Sequence, residues 1–106
     1  MEHVAFVLSI DPAQKEEYWR RHQQVDPELE QLFAEVGIHR YHIFFHEGTL
    51  FAYMEVDNFE EAMSRIASHP ADQRWQEYMA DMLKLWENGS TSKVIPEMYR
   101  FVAGQK

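Results

Sequence analysis

The sequence predicts an α+β domain of the ferredoxin-like kind, with elements in the order βαββαβ. Three observations carry that prediction: a β-branched opening run that meets a proline-led helix, a tight "EGT" between two apolar strands, and a second helical region followed by a late strand. Helices in such a fold cover one face of the sheet, so the other face needs a cover of its own.

"VAFVLSI" (4–10) is a strand that stops at "DP". Asp11 is placed as N-cap, Pro12 at the first helical position and Gln14 three residues beyond the cap, so a helix starts there and runs through Tyr18 and His22. Pro27 lacks an N–H and disfavours the helical region at Asp26, which predicts a restart with Asp26 as the new cap. Leu29, Leu32, Phe33 and Val36 form an i, i+3, i+4, i+7 stripe, and Gly37 supplies the stop. "IHRYHIFFH" (38–46) and "LFAYMEV" (50–56) then read as an antiparallel hairpin. Asn58 with Glu61 repeats the capping pattern ahead of helical periodicity that carries through "WEN" and is interrupted at Pro70. "NGSTS" is a loop, and "KVIPEMYRFV" (93–102) is a last strand whose Pro96 calls for an edge or a bulge.

At 106 residues the chain is expected to be one domain, 1–106, with a core small enough to gain from a second copy. Phe6, Tyr41, Phe44, Phe45 and Tyr53 fall on both faces of their strands, consistent with a sheet covered on both sides. A homodimer is therefore expected. The net charge of −8 argues against nucleic acid and anionic membrane as partners. With no cysteine there is no disulfide framework and no thiol nucleophile. The N-terminus has no basic n-region, and no run reaches the ~18 apolar residues of a membrane span, so a cytoplasmic protein is expected.

His39, His42 and His46 invite a metal reading. On a strand, however, His39 and His42 point to opposite faces, and His42 and His46 lie about 13 Å apart at about 3.3 Å per residue. No metal is expected. The adjacent carboxylates Glu16 with Glu17 and Glu60 with Glu61 belong to first helical turns, where they favour the helix dipole.

Tyr18 and His22, four apart, share one helix face. Two readings stand: a tyrosine packed on the sheet with a histidine at its rim, or a pair lining a pocket, with the imidazole as acid or base and the phenol holding a hydroxyl. Trp75 in "QRWQEYM" likewise reads either as core or as a platform for the apolar face of a sugar ring.

"AFVLSIDPAQKEEYWRRH", then "PELE", "GIHRYHI" and "QRWQEYM", resemble the L-rhamnose mutarotase family in order and spacing, most specifically at "EEYxRRH" followed by "PELE". The resemblance implies a dimeric α/β barrel and a cofactor-independent epimerase that interconverts the α and β anomers of a 6-deoxy hexose. By the same resemblance His22 falls on the family's proton donor, Tyr18 and Tyr41 on substrate-binding tyrosines, and Trp75 on the first of two adjacent substrate-binding tryptophans. Opening the sugar ring requires a proton on the ring oxygen and loss of one from the anomeric hydroxyl, with a tyrosine hydroxyl or a water as the second proton carrier.

Two positions depart from the family. Gln76 replaces its second tryptophan, and Asp26 stands before "PEL" in place of a tryptophan. Both exchange aromatic for polar surface, which points toward L-fucose or a more hydroxylated ring, and an Asp26 close to His22 is expected to raise its pKa. The rival readings are a cofactor-free monooxygenase, because small dimeric barrels also host that chemistry, and a non-catalytic sugar-binding domain.

Overall fold

The computed structural model describes residues 1–104. Its elements are β1 (Glu2–Ser9), α1 (Lys15–His22), α2 (Pro27–Glu35), β2 (Ile38–His46), β3 (Thr49–Val56), α3 (Phe59–Ala67), α4 (Pro70–Met79) and β4 (Lys93–Ile95). The strands form one antiparallel sheet in the order β2-β3-β1-β4, the ferredoxin-like arrangement.

Each turning point has a local cause. Asp11 accepts from the Ala13 N–H at 2.9 Å, but Pro12–Gln14 form a 3-10 turn before α1 begins, and the Gln14 side chain makes no cap. Asp26 caps α2 by accepting from the Glu28 N–H at 2.9 Å, with Pro27 at the first helical position. The β2–β3 hairpin turns through Glu47 (φ 49) and Gly48 (φ 91), the two positive φ values that a two-residue turn needs to match strand twist. Gly37 stands at φ 91 where α2 hands over to β2, and a Cβ there would meet the Asp57 carboxylate at 2.7 Å.

Strand register sorts the side chains. Phe6 opposes Ala52, Val4 opposes Met54, and Tyr41 and Ile43 oppose Met54 and Ala52, so these residues share one sheet face. That face packs on Leu29, Leu32, Ala62, Ile66 and Ala71 from the helices. The opposite face, carrying His42, Phe44, Phe51 and Tyr53, has no helix on it, and Phe44 is 60 % and Phe51 41 % exposed.

Two stretches differ from the sequence expectation. The helical periodicity after residue 79 does not become helix: α4 ends at Met79, and the chain straps along β1. The Lys84 N–H bonds the Ser9 carbonyl at 2.9 Å and the Trp86 indole N–H bonds the Val7 carbonyl at 3.1 Å, while Met82 is buried against Ile10 and Leu50. Here the apolar residues recur because they pack along β1 and into the core beneath its end. The last strand, expected over 93–102, holds only Lys93–Ile95, because Pro96 has no N–H to continue the ladder. Beyond it Met98, Tyr99 and Phe101 are 89 %, 82 % and 74 % exposed.

Candidate active site

Between the sheet and the helices lies a cavity of about 1050 Å³, lined mainly by apolar side chains, into which α1, β2 and α4 each present polar groups. The "EEYWRRH" run builds its α1 wall. Arg20 and Arg21 both bind Glu17, at 2.6 and 2.7 Å, which holds the Glu17 carboxyl down at about 2. Arg21 reaches on to the Asp81 carboxylate and the Tyr78 carbonyl, both at 2.9 Å. These contacts lock α1 against the end of α4 and turn Tyr18 and His22 inward.

Tyr18 is 9 % exposed and its ring stacks on that of His22, with centroids 4.2 Å apart and planes at 25°. His22 Nδ1 lies 2.9 Å from the Tyr18 carbonyl oxygen. A carbonyl only accepts, so Nδ1 carries the hydrogen and Nε2 is the nitrogen free to exchange a proton. Trp75, from α4, meets His22 edge-on at 5.1 Å and 88°. Tyr41, from β2, has its ring among Phe6 and Phe33. Its residue surface is 36 % exposed, yet its phenol lies at the buried end, where loss of water pushes the pKa up to about 12. Burial likewise raises the Tyr18 phenol, and Tyr41 adds to the shift. The structure thus brings all four sequence-nominated residues, Tyr18, His22, Tyr41 and Trp75, to one cavity.

Burial pushes the His22 pKa down, opposed by its bond to the Tyr18 carbonyl. This corrects the expectation for Asp26. The Asp26 carboxylate caps α2, pairs with Arg74 at 3.2 Å and lies in a separate shallow groove beside Arg20, Arg21 and Arg74, so it does not raise the imidazole. Gln76, by contrast, does line the cavity, at its exposed rim.

Sequence reasoning missed Asp72. It is the buried charged residue among the described residues, 9 % exposed, and it lines the cavity with one oxygen held by the Gln76 amide at 3.2 Å. Burial pushes its carboxyl above the usual range. In the sequence it stands in the first turn of a proline-led helix, where an acid is ordinarily a solvated dipole partner. The one available signal was its spacing: Asp72, Trp75, Gln76 and Met79 follow the i, i+3, i+4, i+7 pattern of a single face. The strand histidines are dispersed, His39 bonding Asp57 at 2.8 Å and His42 stacking on Phe44 on the sheet face that carries no helix.

Concave, apolar, and holding a single imidazole among its described lining residues, the cavity has the make-up of a small-molecule site on a ferredoxin-like sheet. Known proteins narrow the class. The model of the L-rhamnose mutarotase family matches residues 3–101. L-rhamnose mutarotase of Shigella flexneri serotype 5b is 36% identical over 98 residues, covering 90% of this chain and 93% of that one. That of Enterococcus faecalis is 38% identical over 82 residues, covering 76% and 79%. The crystal structure of an L-rhamnose mutarotase from Formosa agariphila superposes with a TM-score of 0.82 at 30% identity, covering 96% of this chain and 100% of the other. The chain belongs to the L-rhamnose mutarotase family and is an isomerase of the anomer-interconverting kind. A monooxygenase-like protein from Nitrosomonas europaea, with a TM-score of 0.60 at 16% identity, shares the fold alone.

Proposed function

We propose that the chain interconverts the α and β anomers of L-rhamnose, with His22 as proton donor and Tyr18, Tyr41 and Trp75 as the sugar-binding side chains. The observation that carries the reading is the His22 geometry: Nδ1–H is fixed on the Tyr18 carbonyl and Nε2 is left to the cavity. Protonated at Nε2, the ring delivers a proton to the sugar's ring oxygen as the C1–O5 bond breaks. The anomeric hydroxyl gives up its proton to a water molecule, C1 becomes an aldehyde carbon, and after rotation about C1–C2 the reverse transfers close the ring to the other anomer. No electrons are exchanged with a cofactor.

A depressed pKa makes the imidazolium a stronger acid and leaves the neutral ring able to take the proton back, as a reversible reaction requires. The two buried phenols keep their protons at neutral pH, so they suit donation to sugar oxygens and are poor acceptors for the anomeric proton. The Trp75 indole offers an apolar wall for the ring's C–H face.

The reading includes a single cytoplasmic domain working as a homodimer. Supporting the second copy are the helix-free sheet face with Phe44 and Phe51, and the exposed apolar run at Met98, Tyr99 and Phe101. Saturation-transfer NMR between the anomeric protons of L-rhamnose, with and without the protein, tests the activity. Transfer at the buffer rate in the presence of folded protein contradicts it.

A further inference from the structure

We infer that Asp72 and Gln76 form a hydroxyl-recognition pair that lets the same site take hexoses with a hydroxyl on C6 as well as 6-deoxy sugars. The inference rests on the mutarotase reading and names the determinant of its substrate range.

Asp72 is more than nine-tenths buried, in a cavity whose walls are mainly apolar. A carboxylate in such a place is costly unless it is paired or hydrogen-bonded. Among the described residues none of the ion pairs includes Asp72. Its neighbour Arg74 is turned away to Asp26 and Glu28, at 3.2 and 3.5 Å. The side-chain bond it does make is from the Gln76 amide to Oδ1 at 3.2 Å, one helical turn on. No side-chain bond reaches Oδ2, and since no fully buried side-chain oxygen among the described residues lacks a partner, Oδ2 keeps an accessible surface on a residue that lines the cavity, while burial raises the carboxyl pKa against the opposing pull of Gln76 and His69. Gln76 retains a second amide hydrogen and its carbonyl oxygen at the rim. A carboxylate oxygen and an amide side by side accept from and donate to one hydroxyl at once.

Position points to C6. Trp75, between Asp72 and Gln76 in sequence and on the same helix face, touches the His22 ring edge-on at 5.1 Å. With His22 acting at the ring oxygen, the polar pair lies beside the proton donor's own neighbour. The ring oxygen is flanked by C1, whose hydroxyl is the reacting group of every substrate, and by C5, which carries C6, so C6 is the neighbouring substituent at which 6-deoxy sugars and their hydroxymethyl counterparts differ. A methyl there gives the pair no donor or acceptor, whereas a hydroxymethyl gives both.

L-mannose and L-rhamnose differ only in carrying a hydroxyl or a hydrogen on C6, so they isolate the effect. Anomeric exchange of each sugar, measured by saturation transfer on the wild-type chain, on Gln76→Leu and on the Asp72→Leu/Gln76→Leu double variant, gives a ratio that cancels general damage. Replacing both partners with apolar groups leaves neither one stranded in the core. We expect the wild type to accelerate both sugars and the L-mannose to L-rhamnose ratio to fall at least about tenfold in the double variant, the worth of one bond to a charged acceptor. Gln76→Leu, at the exposed rim, keeps the test available if the double variant is unstable, and lowers the ratio about threefold or more. A ratio unmoved in either folded variant overturns the inference, as does a wild type that exchanges L-rhamnose while leaving L-mannose at the buffer rate. Exchange of neither sugar overturns the mutarotase reading, and the recognition pair falls with it.

Discussion

The imidazole of His22 stacks 4.2 Å from the ring of Tyr18 and bonds, through Nδ1, the carbonyl of that same residue at 2.9 Å. One helical turn thus supplies both the orientation of the ring and its tautomer. Neither depends on a distant partner, so the exchange of protons at Nε2 is set up by α1 itself, and α1 is set by the Arg21 bridge to Asp81.

Burial places the His22 pKa below its ordinary value of 6.5. Between those two values the unfolded chain binds more protons than the folded one. The contribution of this residue is level above about 6.5 and is lost as pH falls from the unfolded value to the folded one. Urea midpoints measured from pH 7.5 to 5 should therefore drop more steeply for the wild type than for His22→Gln. Parallel curves contradict the assigned burial.

Tyr18→Phe keeps the stacked ring and the carbonyl that holds Nδ1, and removes only the phenol. We expect sugar affinity to fall about tenfold, the worth of one well-placed hydrogen bond, while exchange at saturating sugar changes much less. Titration of the exchange rate against L-rhamnose separates the two, and an unchanged half-saturation point removes Tyr18 from the binding set.

Asp26→Ala removes the α2 cap and an exposed ion pair with Arg74. Loss of the cap should cost about 1 kcal/mol in chemical denaturation, with little added by the exposed pair. Because Asp26 lies outside the cavity, the pH dependence of exchange should stay that of the wild type. A displaced pH profile would restore Asp26 as a neighbour of His22.

Phe44, 60 % exposed on the helix-free face, opposes Phe51 across the β2–β3 ladder. Sedimentation should give a dimer for the wild type and a monomer for Phe44→Glu, since a buried unpaired carboxylate disfavours a dry interface. A wild-type monomer at micromolar concentration contradicts the proposed second copy.

What could be read in the sequence was what local chemistry decides. "DP" at 11–12 and at 26–27, Asn58 with Glu61 and the "EGT" turn each carry their own donors, acceptors or positive φ, and each lies where it was placed, save that the first opens on a 3-10 turn. Periodicity misled where apolar residues serve another surface. Met82 and Trp86 recur like helix residues, but Met82 fills the core beside Ile10 and Leu50 and Trp86 bonds the Val7 carbonyl of β1, and Pro96 cut short a strand that composition extended. At the site, Tyr18 and His22 were visible because both come from one helix. Asp72 was not, because its burial depends on the sheet and on the cavity opposite, which no local pattern around it encodes.

The central claim is that His22 carries the proton, and His22→Gln measured by saturation-transfer NMR on L-rhamnose tests it most directly. Anomeric exchange should fall about 10²–10⁴-fold toward the buffer rate, with L-rhamnose binding, followed by ligand line broadening, still detectable. Exchange retained near the wild-type rate in a folded variant contradicts the assignment and moves the proton to another group in the cavity.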